Sequence, residues 1–499
     1  MLQLLPNISA LLNNITDSLD MFRPELCLVV LFLLVMACDL VYSSNKGRAC
    51  RMLTCAGLLL VLVANWGEYI ETDDNVLFLF NSSLILHHSN IVLKMIIDAV
   101  AFAIVLFFPW DDQLHKHGKG LGDAYTIITA SILGLHVMVM SSTLLTIFLS
   151  VEMVSIASYL LVAYRTESGF SAEAGLKYVL FGMAASAVML YGISLFYGLS
   201  GTLNLFDANL ITHLQRADMA MVTLAVVFIL AGIGFKLSIV PLHFWVPDVY
   251  QGAATPVTAY LSTLPKIAGF GLLITFLTPF ITDPAWKQVD YITLLSVAGI
   301  VTMIAGNFAA VWQQNVKRLL AYSGIGHTGF ALMAVVTFSA QGIKALNFYL
   351  AMYAVANLGA LMLASYFANT MKAENLDDYK GLGFKYPIAS VCFVILLISL
   401  TGIPVSAGFN AKVIVFSAVY EVYQQGHNGM LLALLVTGAV TTVVSLFYYI
   451  KIPLYLFLKK QESKSHEYPS HKKLLVMVVI LSAIIVLLGI FPDLLANLM

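Results

Sequence analysis

Four ionisable residues stand inside long apolar runs of this 499-residue sequence: Glu152, Lys236, Lys266 and Lys412. A charge at membrane depth costs roughly 2.5–3.5 kcal/mol on insertion scales, so such residues face a cavity or a partner and mark an ion or proton path. Lysine suits the second use. Burial disfavours its charged form and an approaching carboxylate restores it, whereas arginine stays protonated in proteins. Glu152, in Ser150-Val151-Glu152-Met153-Val154, is then the carboxylate whose approach or withdrawal sets the proton on Lys236, and Lys266 receives it. Lys412 lies farther along its run and is the candidate exit residue; Lys177, near the start of another, is the candidate for uptake. His243 and His327 carry side chains that exchange protons near neutrality.

Each residue has a plainer reading. Glu152 and Lys236 can be an ion pair that only locks two helices together, although two further mid-run lysines then lack a partner. Lys177 can be a lysine snorkelling to the surface, and for Lys451 that is the better account. His243 and His327 can be hydrogen-bonded packing residues. His136 and Asp98 show no partner in the sequence.

Other chemistries are disfavoured. The five cysteines contain no CxxC pair, so neither iron–sulfur nor zinc ligation is indicated. A net charge of −1 gives no basic footprint for nucleic acid. Gly324-Ile325-Gly326-His327-Thr328-Gly329 fits the GxGxxG dinucleotide pattern by letters alone. That pattern needs a preceding strand and an acidic residue about 20 positions on, yet the next one here is Glu374. Close helix packing is the better explanation of these glycines.

The elements that position these residues are membrane spans. The chain is 60% hydrophobic and 11% charged, and runs of about 20 apolar residues, the length that crosses a bilayer, recur almost end to end. About fourteen are expected: 25–42, read as a retained span and not a signal peptide, 50–69, 93–110, 124–141, 143–163, 172–198, 219–248, 255–280, 290–312, 319–338, 345–369, 387–422, 430–458 and 474–498. Alternate loops divide the basic residues sixteen to five, with Arg23, Lys94, Arg216, Lys287 and Lys344 forming the smaller set. Cytoplasmic loops retain positive charge, so both termini are expected outside. The spans at 219–248 and 387–422 are interrupted, one by Pro241 after Lys236, the other by Gly402-Ile403-Pro404 and Gly408 before Lys412. A freed backbone group at membrane depth survives only against protein or a water-filled cavity, and paired broken helices mark repeated transporter bundles. The reading is an all-α integral membrane protein with two five-helix repeats, the second inverted. Its parts are 1–123, 124–280, 281–458 and 459–499, the repeats being the middle two.

At these residues the sequence resembles a known family. Phe235-Lys236-Leu237-Ser238-Ile239-Val240-Pro241-Leu242-His243-Phe244-Trp245-Val246-Pro247-Asp248, continued to Val257, is similar to the signature of the antiporter-like subunits of respiratory complex I. Lys317-Arg318-Leu319-Leu320-Ala321-Tyr322-Ser323 and Leu400-Thr401-Gly402-Ile403-Pro404 look like two more of its motifs. The resemblance implies a gating pair at Glu152 and Lys236 and a proton-carrying lysine at Lys266. Lysine at Lys412, and no long lateral helix, imply the N type. Ala254, Gly324 and Pro265 depart from the family pattern. The same resemblance implies a proton-translocating subunit of NADH:quinone oxidoreductase in a bacterial inner membrane, with M-type and K-type subunits as partners. NADH, FMN, iron–sulfur clusters and quinone would belong to the complex, with no cofactor in this chain. A subunit of a multisubunit cation/proton antiporter is the alternative, and a passive scaffold the third.

Overall fold

The computed structural model describes residues 6–41, 47–72, 76–115, 120–283, 286, 289–460 and 471–499. Lys46, Lys116, Lys119, Lys287 and Lys464, which enter the count of basic loop residues, lie outside the described residues, as do Asp73 and Asp74. Helices of two turns or more are numbered in chain order. The first nine are α1 Pro6–Asp20, α2 Arg23–Val41, α3 Arg48–Glu71, α4 His88–Phe107, α5 Gly122–Met140, α6 Leu144–Val162, α7 Gly169–Ser200, α8 Met219–Leu237 and α9 Trp245–Gly252. The remainder are α10 Thr255–Thr282, α11 Tyr291–Val311, α12 Val316–Val336, α13 Ala340–Met371, α14 Pro387–Thr401, α15 Ala407–Gly426, α16 Gly429–Tyr449 and α17 Lys472–Ile490.

Among the described residues thirteen helices are long and apolar enough to cross a membrane, and the chain is a multi-pass membrane protein. The expected spans fall on α2 to α17, with α8/α9 and α14/α15 as the two interrupted ones. The breaks have local causes. Ser238 adopts a left-handed conformation (φ 65°) at the end of α8, and the chain turns through Pro241 before α9. Gly402 (φ 84°) ends α14, where a residue without Cβ takes that backbone conformation freely. Ser406 then caps α15 by accepting from the Phe409 N–H at 3.3 Å.

Helix α13 is almost wholly buried and forms the axis, packed by α10, α12, α14, α15 and α17. In contrast, α2, α3, α7, α16 and α17 turn apolar residues such as Leu60, Leu180 and Val443 outward. Hydropathy does not reveal α1, nor a hairpin in which β1 Leu77–Leu79 pairs antiparallel with β2 Leu84–Leu86. These are joined: Ser18 Oγ accepts from the Phe80 N–H at 2.9 Å, and Asn14 Oδ1 from the Asn81 N–H at 2.9 Å. The glycines of Gly324–Gly329 do serve helix packing. A Cβ on Gly329 would lie 2.6 Å from the backbone nitrogen of Met303 in α11.

Candidate functional site

Lys236 is the penultimate residue of α8, so it stands where the helix stops inside the bundle and backbone carbonyls lose their helical donors. The carbonyl end of a helix favours a cation. Its side chain is buried, and Nζ makes no hydrogen bond. Glu152, half-buried on α6, accepts a short hydrogen bond from Ser186 of α7, the helix that packs on both α6 and α8. The two do not form a closed ion pair, since the carboxylate is engaged by a serine and the ammonium makes no hydrogen bond.

Lys266 is tied to the end of α8 through one hydroxyl, although Lys236 Nζ itself makes no hydrogen bond. Thr328 Oγ1 lies 3.0 Å from the carbonyl oxygen of Leu237, the residue after Lys236, and accepts from Lys266 Nζ at 3.1 Å. Lys266 also donates to the Gly324 carbonyl at 2.7 Å. One turn along α12 stands His327, whose Nδ1 lies 2.7 Å from the Tyr349 hydroxyl and whose Nε2 lies 3.1 Å from that of Tyr449. His327 and Lys412 then line one narrow polar pocket with Asn307, Thr441, Thr442 and Ser445. Lys412 donates to the Thr401 carbonyl at 2.7 Å, a carbonyl at the end of α14, and lies 3.4 Å from the Thr442 hydroxyl. The first half of each broken helix thus has a buried lysine at its carbonyl end, Lys236 within α8 and Lys412 reaching Thr401 of α14 from α15, and polar groups run between Thr328 and Lys412.

Over residues 141–445 the sequence matches the family described as NADH:quinone oxidoreductase/Mrp antiporter, TM. The chain belongs to this family. It is 38% identical to NADH-quinone oxidoreductase subunit N 2 of Chloroherpeton thalassium, over 92% of this chain and 89% of that protein. It is 36% identical to NADH-quinone oxidoreductase subunit N of Chlorobium chlorochromatii, over 91% and 88%. A chain of respiratory complex I from Thermus thermophilus superposes with a TM-score of 0.77 at 28% identity, covering 95% of this chain and 98% of that one. The Mrp complex of Dietzia sp. DQ12-45-1b shares the fold, with a TM-score of 0.79 at 20% identity over 96% of both chains.

The other residues singled out in this family member lie away from the row. Lys177 is an ion-pair residue: Nζ is 2.8 Å from Glu173 and 2.8 Å from Asp248 of α9. Asp248 also takes Arg318 Nη1 at the start of α12, so this cluster ties α7, α9 and α12 at one end of the bundle. His243, in the turn between α8 and α9, has a buried Nδ1 with no hydrogen-bond partner. Lys451 donates to the Val311 carbonyl and is therefore fixed.

Two readings need correction. His136 and Asp98 are not without partners: His136 Nε2 lies 3.0 Å from Asp98, and Nδ1 lies 3.0 Å from Glu25. Lys94 is not a loop residue but is buried in α4, between Glu25 at 3.0 Å and Glu68 at 2.6 Å. The apolar stretch begins at residue 93, whereas α4 starts at His88. Thr328, Tyr349 and Tyr449 are invisible to sequence reasoning; hydroxyls in apolar helices carry no signal until tertiary packing sets them beside a charge.

Proposed function

We infer that this chain is the proton-translocating membrane-arm subunit of an NADH:quinone oxidoreductase, and that its Lys236–Lys266–His327–Lys412 row is the proton path. The observation that carries the reading is the row itself: three buried lysines, with Thr328 joining Lys266 to the end of the helix that carries Lys236, and a pocket that His327 and Lys412 share. Glu152 is the switch. In the closed state it leaves Ser186 and approaches Lys236, stabilising the ammonium; on withdrawal the buried lysine gives its proton toward Lys266, which Thr328 holds beside the end of α8. His327 carries it on between the tyrosines, and Lys412 is the last carrier before release. Lys177 and Asp248 stand at the uptake end, and His243 lines the break.

Electron transfer takes place elsewhere. NADH, FMN, iron–sulfur clusters and quinone belong to other subunits of the complex, and M-type and K-type membrane subunits are the neighbours of this one. The membrane is the bacterial inner membrane, with both termini outside the cytoplasm. The segments 124–280 and 281–458 are the two inverted repeats, each contributing one broken helix and its lysine. Relatives of more than 30% identity named subunit N favour this over a subunit of a cation/proton antiporter.

The test is at Lys236. Arginine keeps the charge but does not release a proton, so Lys236→Arg is expected to fail nearly as badly as Lys236→Ala. NADH-driven acidification of inverted membrane vesicles, normalised to ferricyanide reductase activity, measures pumping per assembled complex. Normal pumping with arginine would leave only an ion pair with Glu152.

A further inference from the structure

A second set of buried ionisable groups lies outside this row, in the first four membrane helices. Glu25 stands at the start of α2, Glu68 near the end of α3, Lys94 and Asp98 in the first half of α4, and His136 near the end of α5. They therefore meet at one end of the bundle. Contacts run without a break from Glu68 to Lys94 (2.6 Å), to Glu25 (3.0 Å), to His136 (3.0 Å) and to Asp98 (3.0 Å). Asn65 donates to the far oxygen of Asp98 at 2.6 Å and lies one turn from Glu68 on α3, which closes a ring. Glu68 is 5% exposed and the other members are fully enclosed.

The charges do not balance. Three carboxylates face one lysine and one histidine, so even with His136 protonated one negative charge is left over in a dry interior. Isolated buried charges are strongly disfavoured and are neutralised instead. Neighbouring groups do not supply the difference. The hairpin residues 76–86 carry no charge, Asp17 and Asp20 of α1 are exposed, and Arg23 is half-exposed and paired with Glu71 at 3.6 Å. His87 and His88 open α4, with His88 set edge-on to Tyr69. The Lys94 ammonium already stands between Glu25 and Glu68, which leaves a proton as the cation that fits. Glu68 is where it goes. One oxygen of each glutamate, Glu25 Oε2 and Glu68 Oε1, is buried without a partner, but Glu25 is held by both Lys94 and His136 and Asp98 by His136 and Asn65, whereas Glu68 has Lys94 alone. Glu68 is also the member with a remnant of exposure, one turn from Glu71 and solvent.

We propose that the Glu25–Glu68–Lys94–Asp98–His136 ring is a second proton-binding site of this subunit, separate from the central lysine row, which holds one shared proton on Glu68 and exchanges it at its own end of the bundle. The proton adds to a carboxylate oxygen of Glu68 from water and returns to water, with no other bond changed.

Infrared difference spectra of the assembled complex, taken against each variant and in H2O and D2O, test this. Glu68→Gln is expected to remove one deuterium-sensitive band of a protonated buried carboxyl at neutral pH, and Glu71→Gln to remove none. His136→Gln deletes a positive charge, so a second carboxyl must take a proton and the band is expected to grow about twofold. Asn65→Asp adds an acid to the ring and is expected to do the same. A structural role alone does not predict these gains. An unchanged band in Glu68→Gln, or no gain in both His136→Gln and Asn65→Asp, overturns the proposal.

Discussion

At the residue scale, the lysines were legible because each is a charge in an apolar run, an expense that sequence alone exposes. Their partners were not. Lys266 finds Gly324 and Thr328 across 58 and 62 residues of chain, and no local pattern announces such a contact. Thr328 is the sharpest of these additions. It is the hydroxyl between the Leu237 carbonyl and Lys266, and valine has nearly its shape without the oxygen. A hydrogen bond to a charged group is worth about 1.5–3 kcal/mol. Felt in the limiting step, that is roughly a tenfold loss of rate or more. Thr328→Val is therefore expected to lower NADH:quinone turnover and proton pumping together while the assembled complex remains at its normal amount; wild-type turnover would remove Thr328 from the path. Lys412→Ala is expected to slow both activities as well, because a coupled machine stalls when its last carrier is gone. Lys412→Glu is expected to restore part of the rate, since a carboxylate also carries a proton. Full turnover and full proton yield in the alanine variant would make Lys412 structural.

At the element scale, hydropathy located the spans, and proline and glycine located both breaks. Helix α1 escaped because its Asn13, Asn14, Asp17 and Asp20 leave no apolar run, and the hairpin because each of its strands is only three residues long. The inner geometry of the second break was also beyond the sequence. Gly402-Ile403-Pro404 and Gly408 signal the break, but only the structure shows that Gly408 lets α15 start against α14: a Cβ there would run into the Ser399 carbonyl oxygen, and the Gly408 N–H donates to Ser399 Oγ at 3.1 Å. Overpacking of this kind costs about 1–3 kcal/mol. Gly408→Ala is accordingly expected to lower the thermal midpoint of the purified complex and the amount assembled in the membrane, and to disturb Lys412, which is anchored on the Thr401 carbonyl of the same break. A midpoint equal to wild type would mean that the two arms do not pack this closely.

At the scale of the whole molecule, contacts among the helix ends show which loops share a face. The Val316 N–H donates to the Glu374 carbonyl at 3.0 Å and the Leu376 N–H to that of Gln314 at 2.9 Å. Lys317 donates to the Ala253 carbonyl, Arg318 pairs with Asp248, the Gly381 N–H reaches the Tyr455 carbonyl, and His471 lies 3.3 Å from Asp112. One end of the bundle thus gathers residues 112, 248–253, 314–318, 374–381, 455 and 471. Most of the loop lysines and arginines belong to this end, Lys372, Lys380 and Lys385 among them. Positive residues near the ends of spans are retained in the cytoplasm, so this end is expected to face inward. The opposite end holds Leu144, whose N–H donates to the Leu203 carbonyl, and Ser142, which bonds to the carbonyl of Ser82. Gly426, at the far end of α15 from Ser406, belongs there too. A reporter fused after Lys372 is therefore expected to be active only in its cytoplasmic form, and reporters fused after Ala208 and Gly426 only in their exported form. Gly426 decides the matter, because α14 and α15 must together make one crossing for its loop to reach the outside; a cytoplasmic reading there would turn the broken pair into a re-entrant hairpin and reverse every span beyond it.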